Sequence, residues 1–221
     1  DPVLSRGLGD VYKRQRVSQV GSKKNRQVAR DAVRMSMVLL KNESNVLPFE
    51  KDKSITVVGS GANNLGMQNG GWTVEWQGRS TPDFKILDNN NDGKLNLDEV
   101  TSHFKSAYDA KYDAGNVEGF FKNLDKDSNG EVNTDEFKKF DAESPYQPDG
   151  TSILKALEEA SDKKGLITYD PRAENISKGD VIVAVVGENP YAEGIGDNPT
   201  IGLSSFDAAV LERCYVSGNK L

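Results

Sequence analysis

Ser54-Ile55-Thr56-Val57-Val58-Gly59-Ser60-Gly61 and Asp180-Val181-Ile182-Val183-Ala184-Val185-Val186-Gly187 are two apolar runs of strand length that each stop at a glycine. A strand alternates its side chains between two faces, so a run with no polar alternation suits a strand covered on both faces. Gly165 to Tyr169 reads as another strand. Helical spacing fills the intervals: Arg26 to Asn42, with Ala29, Val33, Met37 and Leu40 on one stripe, and Thr151 to Ala160, with Ile153, Leu154 and Leu157. Ser204 or Ser205 caps a last helix running towards Tyr215. The wide stripe of the first helix predicts burial against a sheet. Buried strands between helices predict a mostly parallel α/β sheet, in which ligands gather beyond the carboxyl ends of the strands.

Residues 80–148 break this pattern. Asp88-Asn89-Asn90-Asn91-Asp92-Gly93-Lys94-Leu95-Asn96-Leu97-Asp98-Glu99 fits the twelve-residue EF-hand loop, and Asp125-Lys126-Asp127-Ser128-Asn129-Gly130-Glu131-Val132-Asn133-Thr134-Asp135-Glu136 fits it again. Such a loop offers a hard cation oxygens from positions one, three and five, a backbone carbonyl at seven, and a bidentate Glu at twelve, with Gly at six for the turn. The predicted ligands for two calcium ions are therefore Asp88, Asn90, Asp92, Lys94 and Glu99, and Asp125, Asp127, Asn129, Glu131 and Glu136. Lys94 and Glu131 would act through their carbonyls. Glu at position twelve argues against a dockerin repeat. Val117, Phe120, Phe121 and Leu124 before the second loop, and Phe137 and Phe140 after it, recur at helical spacing. Thr81-Pro82 is expected to start the first helix, and Gly115-Asn116 to punctuate between the two units. Leu95 and Val132 are apolar at position eight, as expected if the loops pair through a short strand. With three carboxylates per loop, affinity is expected from the micromolar towards the millimolar part of the range.

Charge follows the same partition. The 221 residues hold 28 basic and 34 acidic side chains, a net charge of −6. Residues 1–41 are strongly basic and residues 80–148 strongly acidic, so the total is a sum over unlike parts. The basic start lacks interleaved aromatics, which disfavours a nucleic-acid partner. No run approaches the roughly 18 apolar residues of a membrane span. One cysteine, Cys214, excludes an internal disulfide, and one histidine, His103, leaves no metal or nucleophilic cluster needing several; both read as bystanders.

Two strand ends are chemically loaded. Gly59-Ser60-Gly61-Ala62-Asn63-Asn64-Leu65-Gly66 approximates a dinucleotide fingerprint, but its third glycine is misplaced and no helix pattern follows. The loop continues to Gly70-Gly71-Trp72-Thr73-Val74-Glu75-Trp76-Gln77-Gly78, which holds both tryptophans of the chain. After the third strand come Glu188, Tyr191, Glu193 and Asp197 on a glycine-rich loop. Tryptophan faces cover the apolar faces of pyranose rings, and carboxyls bind hydroxyls or protonate a glycosidic oxygen, so the pairing suits a sugar.

These motifs, with Ala29 to Asn42 and Asn45-Val46-Leu47-Pro48, resemble the second domain of family three glycoside hydrolases, in the β-glucosidase and exo-β-glucanase branch. The likeness covers residues 22–79 and 149–221. It implies an α/β sandwich in which Glu193 is the general acid/base of a retaining reaction, with Glu188 the rival. Trp76 would flank the aglycone side and Trp72 would support the loop or touch the sugar, while Glu75 and Asp197 would be hydrogen-bonding supports. It further implies a nucleophilic Asp from an N-terminal barrel domain, a β-glucan or gluco-oligosaccharide substrate, and a secreted or periplasmic location.

The predicted fold class is an incomplete, mostly parallel α/β sandwich, formed by residues 16–79 and 149–221 and interrupted by an all-α EF-hand pair at 80–148. Asp10-Val11-Tyr12-Lys13-Arg14-Gln15 resembles the translated end of a sequencing-library adapter. Residues 1–15 are therefore expected to be foreign, and the chain to be an inactive fragment of an exo-acting enzyme. The alternative reading is a calcium-binding module on a non-catalytic α/β scaffold.

Overall fold

The computed structural model describes residues 17–50, 52–108, 113–143, 150–161, 163–177, 181–194, 196–197 and 201–219. The expected foreign segment 1–15, the boundary at 148 and 149, and the first residue of the third strand, Asp180, lie outside these residues. The chain divides into two units, residues 1–48 and 49–221.

In the first unit, Ser22 caps helix α1 (Lys23–Ser36), its Oγ accepting from the Asn25 amide. The helix ends six residues before the expected Asn42, because Met37 is extended. None of its residues is buried, contrary to the expectation of a sheet-facing stripe. Besides two short 3₁₀ turns the unit holds no other regular element among the described residues, so the stripe has no sheet of its own to cover it. Packing of an apolar face supplies most of a helix's stability in a protein, which is why periodicity alone misjudged the length.

The second unit is built on strand β1 (Ile55–Val58), whose four residues are all buried. Helix α2 (Leu65–Asn69) and the single turn α3 (Phe84–Leu87) follow. Next come β2 (Lys94–Leu95), α4 (Leu97–Tyr108), α5 (Ala114–Leu124), β3 (Val132–Asn133) and α6 (Thr134–Glu143). The chain returns through α7 (Ile153–Ala160), β4 (Ile167–Tyr169), β5 (Val181–Ala184) and α8 (Ser205–Val216). The main sheet has the order β4-β1-β5, all parallel, with Ile55 level with Ile167 on one side and Val181 on the other.

Alternation along these strands sorts the core into two layers. Ile55 and Val57 join Ala62 and Leu154 of α7, with Val183 and Val185 packed alongside. Val58 and Ile182 join Phe206, Val210 and Cys214 of α8. The sheet is thus covered on both faces, as its uninterrupted apolar strands require. Cys214 is a core residue. Asp207, fully buried in the first turn of α8, accepts from the Ser60 amide (3.1 Å) and hydroxyl (2.7 Å), which fastens the turn after β1 to that helix.

Two corrections concern helix starts. Asp83, not Thr81, caps α3, its Oδ1 accepting from the Lys85 amide at 3.0 Å. Asp113 caps α5, which draws Gly115 and Asn116 into the first turn instead of leaving them as a break. In each case an Asp near the helix start outcompetes the residues that suggested otherwise, since its carboxylate satisfies a free amide of the first turn.

β2 and β3 pair antiparallel, Leu95 opposite Val132, and both are fully buried with Leu87, Val100, Val117, Phe121, Leu124 and Phe137. This second core joins the first through α3. Ile86 packs against Val58 and Phe206, while its neighbour Leu87 belongs to the helical core. Arg172 Nη1 donates to the Ile86 carbonyl (3.0 Å), and Arg213 Nε of α8 donates to the Arg172 carbonyl (2.8 Å).

His103 of α4 completes the joint, its ring edge-on to Phe206 at 5.3 Å, so it is an interface residue and no bystander. Its Nδ1 is buried with no hydrogen-bond partner among the described residues. Burial, aided by the Arg172 charge, lowers its pKa to about 4. The unfolded chain, with an ordinary histidine near 6.5, binds the proton more readily. The neutral histidine therefore stabilises the fold fully above about pH 6.5 and progressively less as pH falls towards 4. By about pH 5 the loss amounts to about 2 kcal/mol. Urea unfolding at about pH 7 and about pH 5 is expected to show a smaller drop for His103→Leu than for the parent chain, and equal drops would refute the assignment.

Candidate functional site

The loops leaving the carboxyl ends of β1 and β5 meet beyond the sheet. The first begins at Gly59, whose φ of +94° and approach to Val185 leave no room for a side chain: a Cβ would lie 2.2 Å from the Val185 carbonyl oxygen. It then forms α2, a helix of five residues that the sequence did not suggest, with Asn64 Oδ1 accepting from Met67 N. Between Gly70 and Gly78 the backbone curls tightly. The Trp72 amide donates to the Trp76 carbonyl (2.8 Å), and both Thr73 Oγ1 (2.9 Å) and Gly78 N (2.7 Å) donate to the Glu75 carbonyl.

This curl stands the two indoles edge to face, 6.0 Å between centroids and 78° between planes. Trp72 is 71% exposed and Trp76 48%, so neither is a core residue and both present apolar surface to solvent. Glu75 holds the loop through its backbone carbonyl. Asp197 likewise acts through its amide, which donates to Gly194 O at 3.0 Å.

On the second loop the Tyr191 hydroxyl donates to Glu188 Oε2 at 2.7 Å, a bond that raises the tyrosine's pKa and occupies Glu188. Glu193 is exposed, and among the described residues its carboxylate has no hydrogen-bond or ion-pair partner. Its backbone is held from the other loop: Gln77 Oε1 accepts from Ala192 N (2.8 Å) and Gln77 Nε2 donates to Glu193 O (3.3 Å). Two glycines let the loops close. A Cβ on Gly71 would lie 2.0 Å from the Tyr191 carbonyl oxygen, and one on Gly78 would lie 2.5 Å from Pro190 Cβ. Glu193, Trp72 and Trp76 thus share one rim.

Gly71→Ala is expected to force that rim open, at about 1–3 kcal/mol of stability for an overpacked contact. Because both tryptophans lie in this loop, acrylamide quenching reports on it directly and should increase. Unchanged quenching and an unchanged urea midpoint would show that the loops do not touch as described.

The acidic loops are a second candidate. Asp88 accepts from the amides of Asp92 (3.2 Å) and Gly93 (3.0 Å), and Asp125 from those of Asn129 (3.1 Å) and Gly130 (2.9 Å). Glu99 accepts from Asn89 and Asn96, and Glu136 from Lys126 and Asn133, so the first and twelfth residues of each loop are drawn inward. Asp125, Asp127 and Glu136 each place a carboxylate oxygen within 4.8 Å of the other two. In the first loop Asp92 is turned along the chain, bonding Asn90 Nδ2 and Lys94 N.

Lys94 Nζ and Glu131 Oε2 pair at 2.6 Å across the loops, a contact that raises the lysine's pKa, and position seven is left to offer its carbonyl. Asp88, Glu99 and Asp125 are buried, yet among the described residues no basic side chain pairs with them. Buried carboxylates without a cationic partner and an all-oxygen donor set fit a hard divalent cation.

A family model for the glycosyl hydrolase family 3 C-terminal domain matches residues 37–221. The chain belongs to that family. Within it, the lysosomal beta glucosidase of Dictyostelium discoideum is 24% identical over 205 residues, covering 91% of this chain and 19% of its own length. The crystal structure of the exo-1,3/1,4-beta-glucanase of a Pseudoalteromonas species superposes with a TM-score of 0.57 at 27% identity, over 93% of this chain and 18% of that one. A mutant of the same glucanase gives the same score and identity, with 24% of its chain covered. The family 3 domain described here therefore spans about a fifth of the length of its relatives.

Sequence reasoning singled out the tryptophans and carboxylates of this family 3 domain but passed over Gln77, Asp207 and the interface role of His103. Gln77 stood inside a quoted motif. Its partners lie 115 and 116 positions away, so nothing local marked it.

Proposed function

We propose that this family 3 domain supplies the acid/base and aglycone-side residues of a retaining, exo-acting β-glucosidase whose remaining residues come from an N-terminal barrel domain. The observation carrying this reading is the shared rim, with an exposed Glu193, unpaired among the described residues, on a loop pinned against the loop of Trp72 and Trp76. Protonated Glu193 would give its proton to the glycosidic oxygen as the bond to the leaving sugar breaks. The resulting carboxylate would then take a proton from the water that releases the glycosyl group from its nucleophile, a carboxylate about 5 Å away in retaining enzymes. Trp76, and Trp72 beside it, would cover the apolar face of the sugar on the aglycone side. Glu188, engaged by Tyr191, is the weaker candidate for the acid.

Two calcium ions are proposed for the acidic loops, held by Asp88, Asn90, Asp92, the Lys94 carbonyl and Glu99, and by Asp125, Asp127, Asn129, the Glu131 carbonyl and Glu136. Each ion would supply positive charge to neutralise converging carboxylates. Affinity from the micromolar towards the millimolar part of the range would suit a secreted or periplasmic location. The decisive test of the catalytic reading is Glu193→Gln in the full-length protein on two classes of glucoside.

A further inference from the structure

We propose that Gln77 is the positioning residue that sets Glu193 against Trp76, an inference that rests on Glu193 being the acid. Its amide works as a two-pronged clamp, accepting from the Ala192 amide at 2.8 Å and donating to the Glu193 carbonyl at 3.3 Å. The partners themselves dictate which end of the amide faces which, since one can only donate and the other can only accept. Glu at this position would lose the donor, Met both functions, and Asn would fall one methylene short.

The clamp grips the acid-bearing Glu193 and the residue before it, while Gln77 directly follows Trp76 in the chain. One short segment therefore presents the aglycone-side ring and grips the acid's backbone, so the spacing between ring and carboxyl is set by this side chain. Gly71 and Gly78 bring the loop backbones close enough for the grip. Ala192 is buried and Gln77 half-buried, so water competes poorly for the bond to the Ala192 amide, whereas the bond to the Glu193 carbonyl is exposed. Glu193 itself is exposed, leaving its carboxyl free for a substrate.

In the full-length protein, Gln77→Met is expected to lower kcat/KM on cellobiose by about 10- to 100-fold, the scale of a misplacement near 1 Å. Loss on a dinitrophenyl β-glucoside, whose leaving group needs little proton assistance, should stay within a few-fold. Gln77→Glu keeps the bond to Ala192 and places a carboxylate beside the acid. The alkaline limb of kcat/KM, where a general acid loses its proton, should then move up by roughly half a pH unit. A merely structural residue would move neither the leaving-group dependence nor the pH profile. In the chain itself, Gln77→Met should speed hydrogen exchange of the Ala192 amide at least tenfold with the urea midpoint nearly unchanged. Equal loss on both glucosides, full activity on cellobiose, or unaltered Ala192 exchange overturns the proposal. If Glu193→Gln is itself blind to leaving group, the acid assignment has failed; if Glu193→Gln is selective and Gln77→Met is not, only the clamp has.

Discussion

Glu193→Gln in the full-length protein is expected to reduce kcat/KM on cellobiose by about 10²- to 10⁴-fold, the contribution of a positioned general acid. On a dinitrophenyl β-glucoside the same substitution should leave kcat/KM within a few-fold of the parent, because that phenolate departs without a proton. Deglycosylation uses the same group as a base, so a slow second step with accumulation of the glycosyl-enzyme should appear as a burst. Gln is nearly isosteric and retains hydrogen bonding, which separates loss of the proton from loss of shape. Glu188→Gln is the matched control: its carboxylate already accepts from Tyr191, and its replacement should cost far less on cellobiose. Equal losses on both glucosides, or a larger effect at Glu188, would remove Glu193 from the acid role.

Calcium at a hundredfold excess over its dissociation constant is expected to stabilise the chain by about 2.7 kcal/mol per site. For a chain of this size that corresponds to a rise of roughly 5–10 °C in Tm. The rise should extend beyond the helical segment. Asp88 ends α3, Leu87 lies in the helical core, and Ile86 lies among the sheet residues, so the first loop cannot loosen without disturbing the sandwich. Trp72 and Trp76 sit on the loop after β1, whereas α3 to α6 of the acidic segment hold about half of the helix among the described residues. Fluorescence and far-ultraviolet circular dichroism therefore follow different parts, and their midpoints should rise together. Glu99→Gln and Glu136→Gln should each remove part of the gain. No heat of binding at millimolar calcium would refute the sites, and a rise seen by circular dichroism alone would refute the coupling through α3.

Much of this was legible in the chain because it is encoded locally. A buried parallel strand must be apolar throughout, so Ile55–Val58 and Val181–Ala184 identified themselves. A loop of alternating oxygen donors with a glycine at the turn is likewise local, and Gly93 and Gly130 take the positive φ that the spacing demands. Of the two serines expected to cap the last helix, Ser204 or Ser205, it is Ser204 whose hydroxyl meets an amide three residues on. Local competition is also where reading erred, as when Asp83 displaced Thr81.

What the sequence by itself determined, then, is which segments are strands, which loops carry carboxylates, and which aromatic residues stand near a glycine-rich acid loop. Only the tertiary structure decided that the tryptophans are exposed, that Glu188 is engaged by Tyr191 while Glu193 has no side-chain partner among the described residues, that Gln77 joins the two loops, and that His103 and Ile86 weld the acidic segment to the sheet. The physical reason is one of range. Periodicity, capping and donor spacing act within about a dozen residues, whereas a side-chain contact between the loops after β1 and β5 spans more than a hundred and depends on how the sheet orders its strands.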